Sequence, residues 1–323
     1  MSKVLFFLIA LSAAFYPSEA SALTLRSADI HVESYPTVQA VKYMGQLLHE
    51  RSGGRLTIEV LHSGQLGEEK ELLELCRAGG LDMMRTNIAP LVDYVPEAAV
   101  VAMPYIFRSE AHLHNVLDGP VGQEILSAME KTGLVGLAFY DSGARSFYSS
   151  RKPLRTIEDF RGLRIRVQQT ELFKAMVEAL GAIAVPMAYG EVRDALRNGV
   201  IDAAENNLPS YHSTGHYTVA KYYMLDRDSM PPEVLVFSKK VWAGISEEDK
   251  TLIIKCAGDS VPHMRELWRA REIQALRGVE ESGAQVIGDI DKAPLVMAVK
   301  PLYDRYLSTD KLRDMARRIG ETP

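Results

Sequence analysis

The chain has 323 residues, 47% hydrophobic and 24% charged, with a mean hydropathy of -0.07 and a formal net charge of -5. That is a globular composition, and its mild acidity argues against nucleic acid or an anionic membrane surface as a partner. Cys76 and Cys256 are the two cysteines, too few for a disulfide-built scaffold, so the core must carry the stability. One bridge and two buried thiols both remain open.

Lys3 supplies a short basic start, and residues 4–15 form an almost unbroken apolar run ended by Tyr16 and Pro17. Ala20, Ser21 and Ala22 then give the small-x-small pattern of a signal peptidase site. The run falls short of the roughly 18 to 20 residues needed to cross a bilayer. A secretory leader over 1–22, cut after Ala22, is therefore expected, with a soluble periplasmic product. Leu23, not cysteine, follows the cut, so no lipid anchor is expected there.

Beyond it, hydrophobic periodicity alternates between two and near four. Leu25 starts a short strand; Val38, Val41, Met44 and Leu48 form one helix face that stops at Gly53 and Gly54. Leu56, Ile58 and Val60 alternate as a strand, residues 68–78 read as a helix and 81–84 as a strand. A helix marked by Val121, Ile125 and Met129 precedes the apolar strand 134–139. The rhythm resumes with a capping box at Thr156 to Asp159, a strand over 163–167, a helix over 171–180 and a strand over 182–186. A helix over 191–198, closed by Gly199, leads into a strand over 200–204. From Ser246 a long helical region runs to about 281, with an interruption expected at Pro262.

Repeated strand-helix-strand units predict an α/β protein with parallel or mixed sheets, and a chain this long predicts two lobes. No Gly/Ser linker separates them, so short structured crossings are expected, with a long helix bracing both lobes. The boundaries drawn from this pattern are 23–142 plus 232–271 for the first lobe and 143–231 plus 272–323 for the second.

Catalytic signatures are missing. There is no Gly-x-Ser-x-Gly elbow, dinucleotide fingerprint, phosphate loop or zinc helix, and no enzyme activity, cofactor or metal is expected. His212 and His216 are four apart, but the Ser-Thr-Gly between them is a poor helix; His112 and His114 read as solvent-facing.

Cationic and amide side chains instead punctuate apolar strands. In residues 163–168, Leu163, Ile165 and Val167 fall on one face and Arg164, Arg166 and Gln168 on the other. A buried arginine needs an anion, and its planar fork grips a carboxylate through two bonds; two surface ion pairs explain the pattern equally well. Arg145 follows a glycine turn after the strand 134–139, and Asn206 and Asn207 close the strand from Val200. Ligands in open α/β sheets bind beyond such strand ends.

With Tyr140-Asp-Ser-Gly-Ala-Arg145, Gly162-Leu-Arg-Ile-Arg166-Val, Val185-Pro-Met-Ala-Tyr-Gly-Glu-Val, Ile201-Asp-Ala-Ala-Glu-Asn206 and Ser63-Gly-Gln-Leu-Gly-Glu-Glu69 in its sequence, the chain resembles the solute-binding proteins of tripartite ATP-independent periplasmic (TRAP) transporters over its whole mature length. The resemblance implies two α/β lobes that close on a ligand, with Arg166 gripping its carboxylate. It places Arg145 and Asn206 in the site from the second lobe, and Glu69 and Asn87 from the first. It also implies delivery to small and large membrane permease subunits by a monomeric receptor.

Tyr35-Pro-Thr, Arg166-Val-Gln-Gln and Glu205-Asn-Asn resemble the members that bind hexuronates such as glucuronate or galacturonate. His31 and Gln168 join the expected hydroxyl partners. The loop after His31 lacks the proline expected there and carries Ser34 in place of Asp. A C4-dicarboxylate would need a second cationic anchor, for which Arg85 or Arg145 is available. The same site could also serve an aldonate or a 2-oxo acid, or belong to a subunit that presents its ligand to a sensor.

Overall fold

The computed structural model describes residues 22–323. The leader expected over 1–22 lies outside these residues except for Ala22. Strands β1 (Leu23–Ala28), β2 (Leu56–Leu61), β3 (Met83–Asn87) and β4 (Leu134–Tyr140) come first in the chain. They are followed by β5 (Arg145–Ser149), β6 (Arg164–Val167), β7 (Ile183–Pro186), β8 (Ala203–Asn207), β9 (Tyr222–Met224), β10 (Glu233–Ser238) and β11 (Gln285–Ile287). They form two mixed sheets, ordered β2-β1-β3-β10-β4 and β11-β9-β5-β8-β6-β7. In the first, β1 runs parallel to β2 and β3 while β10 runs antiparallel to β3 and β4. In the second, β6 is parallel to β7 and β8, and β5 is antiparallel to β8 and β9. The α/β expectation holds, with both sheets mixed.

The mixed pattern follows from two crossings. The chain leaves the first sheet after β4, passes through residues 141–144 and enters the second as β5. It returns through residues 225–232 to insert β10 between β3 and β4. β10 is apolar along Val234 to Phe237 and fully buried, as a central strand covered on both faces must be.

The long helix Glu247–Glu281 braces both lobes. The Ser246 hydroxyl accepts from the Asp249 amide at its start, and Glu247, Glu248 and Asp249 complement the dipole. Cys256, Met264 and Trp268 pack with the helix Pro36–Arg51 beside the first sheet, while Val279 packs with Tyr148, Tyr211 and Tyr223 of the second lobe. Pro262 does not interrupt it. Burial of Ala257, Ser260 and Met264 around the proline holds the helix where the missing amide alone would break it.

Three further features depart from the sequence reading or complete it. The helix Asp310–Glu321, placed with the second lobe, packs through Met315 and Ile319 into the core shared with the helix Pro120–Ala128 beside β4, and Arg318 pairs with Glu124 at 2.7 Å. An amphipathic helix carries no mark of which apolar face will receive it. His112 is buried rather than solvent-facing, with Nε2 2.8 Å from the Ile319 carbonyl. Both cysteines are free and buried, and burial pushes the Cys76 thiol up to about 12. Among the described residues no helix is long and apolar enough to cross a membrane.

Candidate functional site

Parallel strands β1, β3, β6 and β8 all end at the cleft between the lobes, where open α/β sheets place ligands. The turn after β1 supplies Asp29, Ile30 and His31; β3 supplies Arg85 and Asn87; β6 supplies Arg166 and leads to Gln168; β8 supplies Asn206. Arg145 enters at the start of β5, and Glu69 opens the helix Glu69–Ala78. The structure brings all eight residues singled out in the sequence (His31, Glu69, Arg85, Asn87, Arg145, Arg166, Gln168 and Asn206) to the wall of one small chamber.

The three arginines of this chamber are each buried but differ in their surroundings. Arg85 sits among three carboxylates. It pairs with Asp29 through Nε at 3.0 Å and again through Nη2, and Nη1 reaches Glu69 at 3.0 Å and Glu233 at 3.1 Å. Burial raises the Asp29 carboxyl, but Arg85 and His31 outweigh it and hold the group well below the usual carboxylate range. Glu69 moves the other way, because its burial exceeds the help it receives from Arg85.

Arg145 is clamped by Glu205, with Nε at 2.5 Å and Nη2 at 2.9 Å from the two carboxylate oxygens, and donates to the Asn206 amide oxygen at 2.9 Å. Burial disfavours its charge, and Glu205 more than restores it.

Arg166 has no such partner. Its Nε and Nη2 both donate to the Met187 carbonyl, at 3.0 and 2.8 Å, and it is 3% exposed. Burial pulls its guanidinium below the usual arginine range, despite Glu205 in the background. Beside it the Gln168 amide oxygen is buried with no hydrogen-bond partner. Arg164, two residues earlier on the same strand, pairs with Asp202 at 3.0 Å at the surface. The two readings of the strand arginines therefore divide between them: a surface ion pair for Arg164, and an open cation for Arg166.

Asn87 lines the chamber, yet its amide is engaged by the protein. Nδ2 donates to the Pro231 carbonyl and to Glu233, and Oδ1 accepts from the Ala89 amide. Residues beyond those eight also line it: Ile30, Tyr189, Ser210, Glu233 and Asn207, the second of the paired asparagines that close the strand from Val200. Glu233 had a signal, an acid beginning an apolar strand. Tyr189 had only its place in the motif Val185-Pro-Met-Ala-Tyr-Gly-Glu-Val, and Ser210 had none, because a helix serine looks alike at surface and site.

The chain matches the model of bacterial extracellular solute-binding protein family 7 over residues 27–310. It belongs to that family. Among solved structures, a TRAP periplasmic solute-binding protein from Bradyrhizobium sp. BTAi1 in complex with α/β-D-galacturonate is 50% identical, with a TM-score of 0.92 over 93% of this chain and 100% of that one. One from Roseobacter denitrificans with bound β-D-glucuronate is 39% identical, with a TM-score of 0.90 over 93% and 100%. A solute-binding protein of Chromohalobacter salexigens is 35% identical over 89% of this chain and 86% of its own length. The TRAP resemblance stated from the motifs is thus borne out, and the two-lobed fold is the family 7 fold.

Proposed function

We propose that this family 7 protein is the periplasmic receptor of a TRAP transporter and that its ligand is a hexuronate, D-glucuronate or D-galacturonate. In this reading Arg166 grips the sugar carboxylate, and Gln168, Asn206, Glu69 and His31 receive hydroxyls. The observation that carries it is the division of charge among the arginines. Arg85 and Arg145 are matched by Asp29, Glu69, Glu233 and Glu205, which leaves Arg166 as the open cation among the described residues of the chamber wall. One carboxylate is thereby accommodated, and a second would meet fixed negative charge, whose repulsion is strong where water is excluded. The same acids are good hydroxyl acceptors. This favours a polyhydroxylated monoacid over a C4-dicarboxylate, and the uronates bound by similar TRAP proteins agree in kind.

Delivery to small and large permease subunits, export through a cleaved leader and a monomeric state belong to the same proposal; catalysis does not. A thermal-shift panel of uronates, aldonates, dicarboxylates and 2-oxo acids tests it. A hexuronate at about 100 times its Kd should stabilise the protein by about 2.7 kcal/mol, with succinate and malate at least tenfold weaker binders. A dicarboxylate that outranks both uronates would overturn the assignment.

A further inference from the structure

The chamber that holds the three arginines has a volume of about 20 Å³ and runs into a space of about 90 Å³ walled by the same Glu69, Arg166, Gln168 and Tyr189. At roughly 10–15 Å³ for one water, the chamber alone takes one or two waters, so a sugar acid occupies both volumes. Arg85, Arg145, Arg166 and Asn206 around it are buried. Such a ring enters and leaves only when the walls part, and whatever joins them across the mouth governs how fast it is released.

Two kinds of polar contact join the walls. Tyr35 Oη meets Ser210 Oγ at 2.8 Å and donates to Asn207 at 3.2 Å, buried beside Trp268 of the long helix. The second faces solvent: the Gly190 amide donates to Glu68 Oε2 at 3.5 Å, between residues 122 apart in the chain.

Both partners of the second contact are unusual for their places. Glu68 is the N-cap of the helix Glu69–Ala78, yet its side chain makes no capping bond and reaches the opposite wall instead. Gly190 is not in the left-handed region, so its own backbone does not call for glycine. A Cβ there would lie 2.6 Å from Glu68 Oε1. Among the described residues, chain neighbours aside, only Glu68 atoms come within 4 Å of that Cβ. The close approach of Glu68 is what a side chain at 190 would disturb.

Each end of the contact is tied to the ligand chamber. Glu69, next to Glu68, is held by Arg85 at 3.0 Å and by the Asn87 amide at 2.9 Å. On the other wall the Met187 carbonyl accepts both Arg166 bonds, and the Tyr189 ring stands edge-on to His31 with centroids 5.2 Å apart. Parting the walls breaks the Glu68 contact while leaving the grip on Arg166 and Glu69 in place.

We propose that Glu68 is a positioning residue, a latch whose carboxylate seats on the Gly190 backbone and slows release of the bound acid. This rests on the chamber as the ligand site, whichever acid fills it.

Stopped-flow kinetics on the mature protein with D-glucuronate and D-galacturonate test it. Glu68→Ala should raise the release rate roughly two- to tenfold, the range of one hydrogen bond at a solvent-facing contact, with the association rate within twofold. Glu68→Gln keeps an acceptor and should fall between wild type and Glu68→Ala. Gly190→Ala displaces only the end of a flexible side chain, so it should leave the unfolding temperature of the empty protein unchanged and still speed release. The double variant should release no faster than the faster single one, because both changes break the same contact. Unchanged release in Glu68→Ala, or effects of the two changes that multiply, overturns the latch. An association rate raised equally by Gln and Ala also overturns it, since that marks repulsion of the anion by the Glu68 charge. In the ligand-free protein, amide exchange at Gly190 should be faster in Glu68→Ala than in wild type, and equal exchange counts against the latch. If neither uronate binds wild type, the hexuronate reading fails, and the exchange measurement alone decides the latch.

Discussion

Arg166 is held charged and buried with two hydrogen bonds to the Met187 carbonyl and no carboxylate beside it. A cation in that state destabilises the empty protein, and a ligand carboxylate relieves that cost, so affinity and apo stability are opposed at this residue. Arg166→Met keeps the volume and removes the charge. Its empty form is expected to unfold at the same temperature as wild type or higher, with uronate affinity lowered by about 3 to 5 kcal/mol. Arg166→Lys should also bind poorly, because the two-bond fork is lost. Calorimetry paired with thermal unfolding checks both; retained affinity in either variant would remove Arg166 from the carboxylate site.

A second residue-scale effect sits in the crossing before β10. Asp226 and Asp228 are both buried, each with one carboxylate oxygen lacking a partner. Burial raises the Asp226 carboxyl to about 7, although the Phe147 amide and Lys292 oppose it, and Asp228 is raised in the same direction. The folded state thus holds the Asp226 proton more tightly than the unfolded chain. This contribution is complete below the ordinary carboxylate pKa of 3.8 and is lost as pH rises through about 7. Unfolding temperature should fall between pH 5 and pH 8, by an amount on the order of a few kcal/mol in stability. Asp226→Asn should flatten that slope; an unchanged slope in thermal melts across this range contradicts the assignment.

At the scale of elements, the first crossing is fixed by how closely it meets the long helix. Gly143 has φ +59, and a Cβ there would lie 2.5 Å from Glu272 Oε1 and 2.8 Å from Trp268 Nε1. Both the left-handed backbone and the close approach exclude a side chain. Gly143→Ala is therefore expected to cost roughly 1–3 kcal/mol. Urea unfolding should show this as a lower midpoint with an unchanged slope, and a midpoint equal to wild type would mean the crossing relaxes away from the helix. Element types were largely legible from periodicity, but β3 starts at Met83 and runs to Asn87 rather than spanning 81–84. Burial of every residue in it erases the alternation that marks a strand's limits.

At the scale of the whole molecule, the site is an assembly of strand ends from both lobes. β1, β3 and β10 supply or flank one wall, and β5, β6 and β8 the other. The crossings at 141–144 and 225–232 and the long helix join these walls, so a ligand held between them contacts both lobes at once. Ligand-induced stabilisation should accordingly appear as a single shifted transition in calorimetric melts. Two separately melting units, with ligand shifting one alone, would contradict this coupling.

The sequence by itself determined the alternation of strands and helices, the helix caps, the lack of catalytic motifs and the polar residues at strand ends. These are local properties, written in the side-chain period and in turn and cap chemistry. It also pointed to eight residues that share one chamber: the strand-end and turn pattern marked Arg145, Arg166, Gln168 and Asn206, the resemblance to TRAP solute-binding proteins implied Glu69, Asn87 and His31, and Arg85 stood as the second anchor a dicarboxylate would need. Which arginine stays open was decided by tertiary structure alone. Side-chain pattern does not separate Arg85 and Arg145 from Arg166, which only the family resemblance set apart, and their neutralisation comes from Asp29, Glu233 and Glu205, brought in from other elements. Charge in a buried site is the sum over everything within a few ångströms, and sequence spacing does not record that distance.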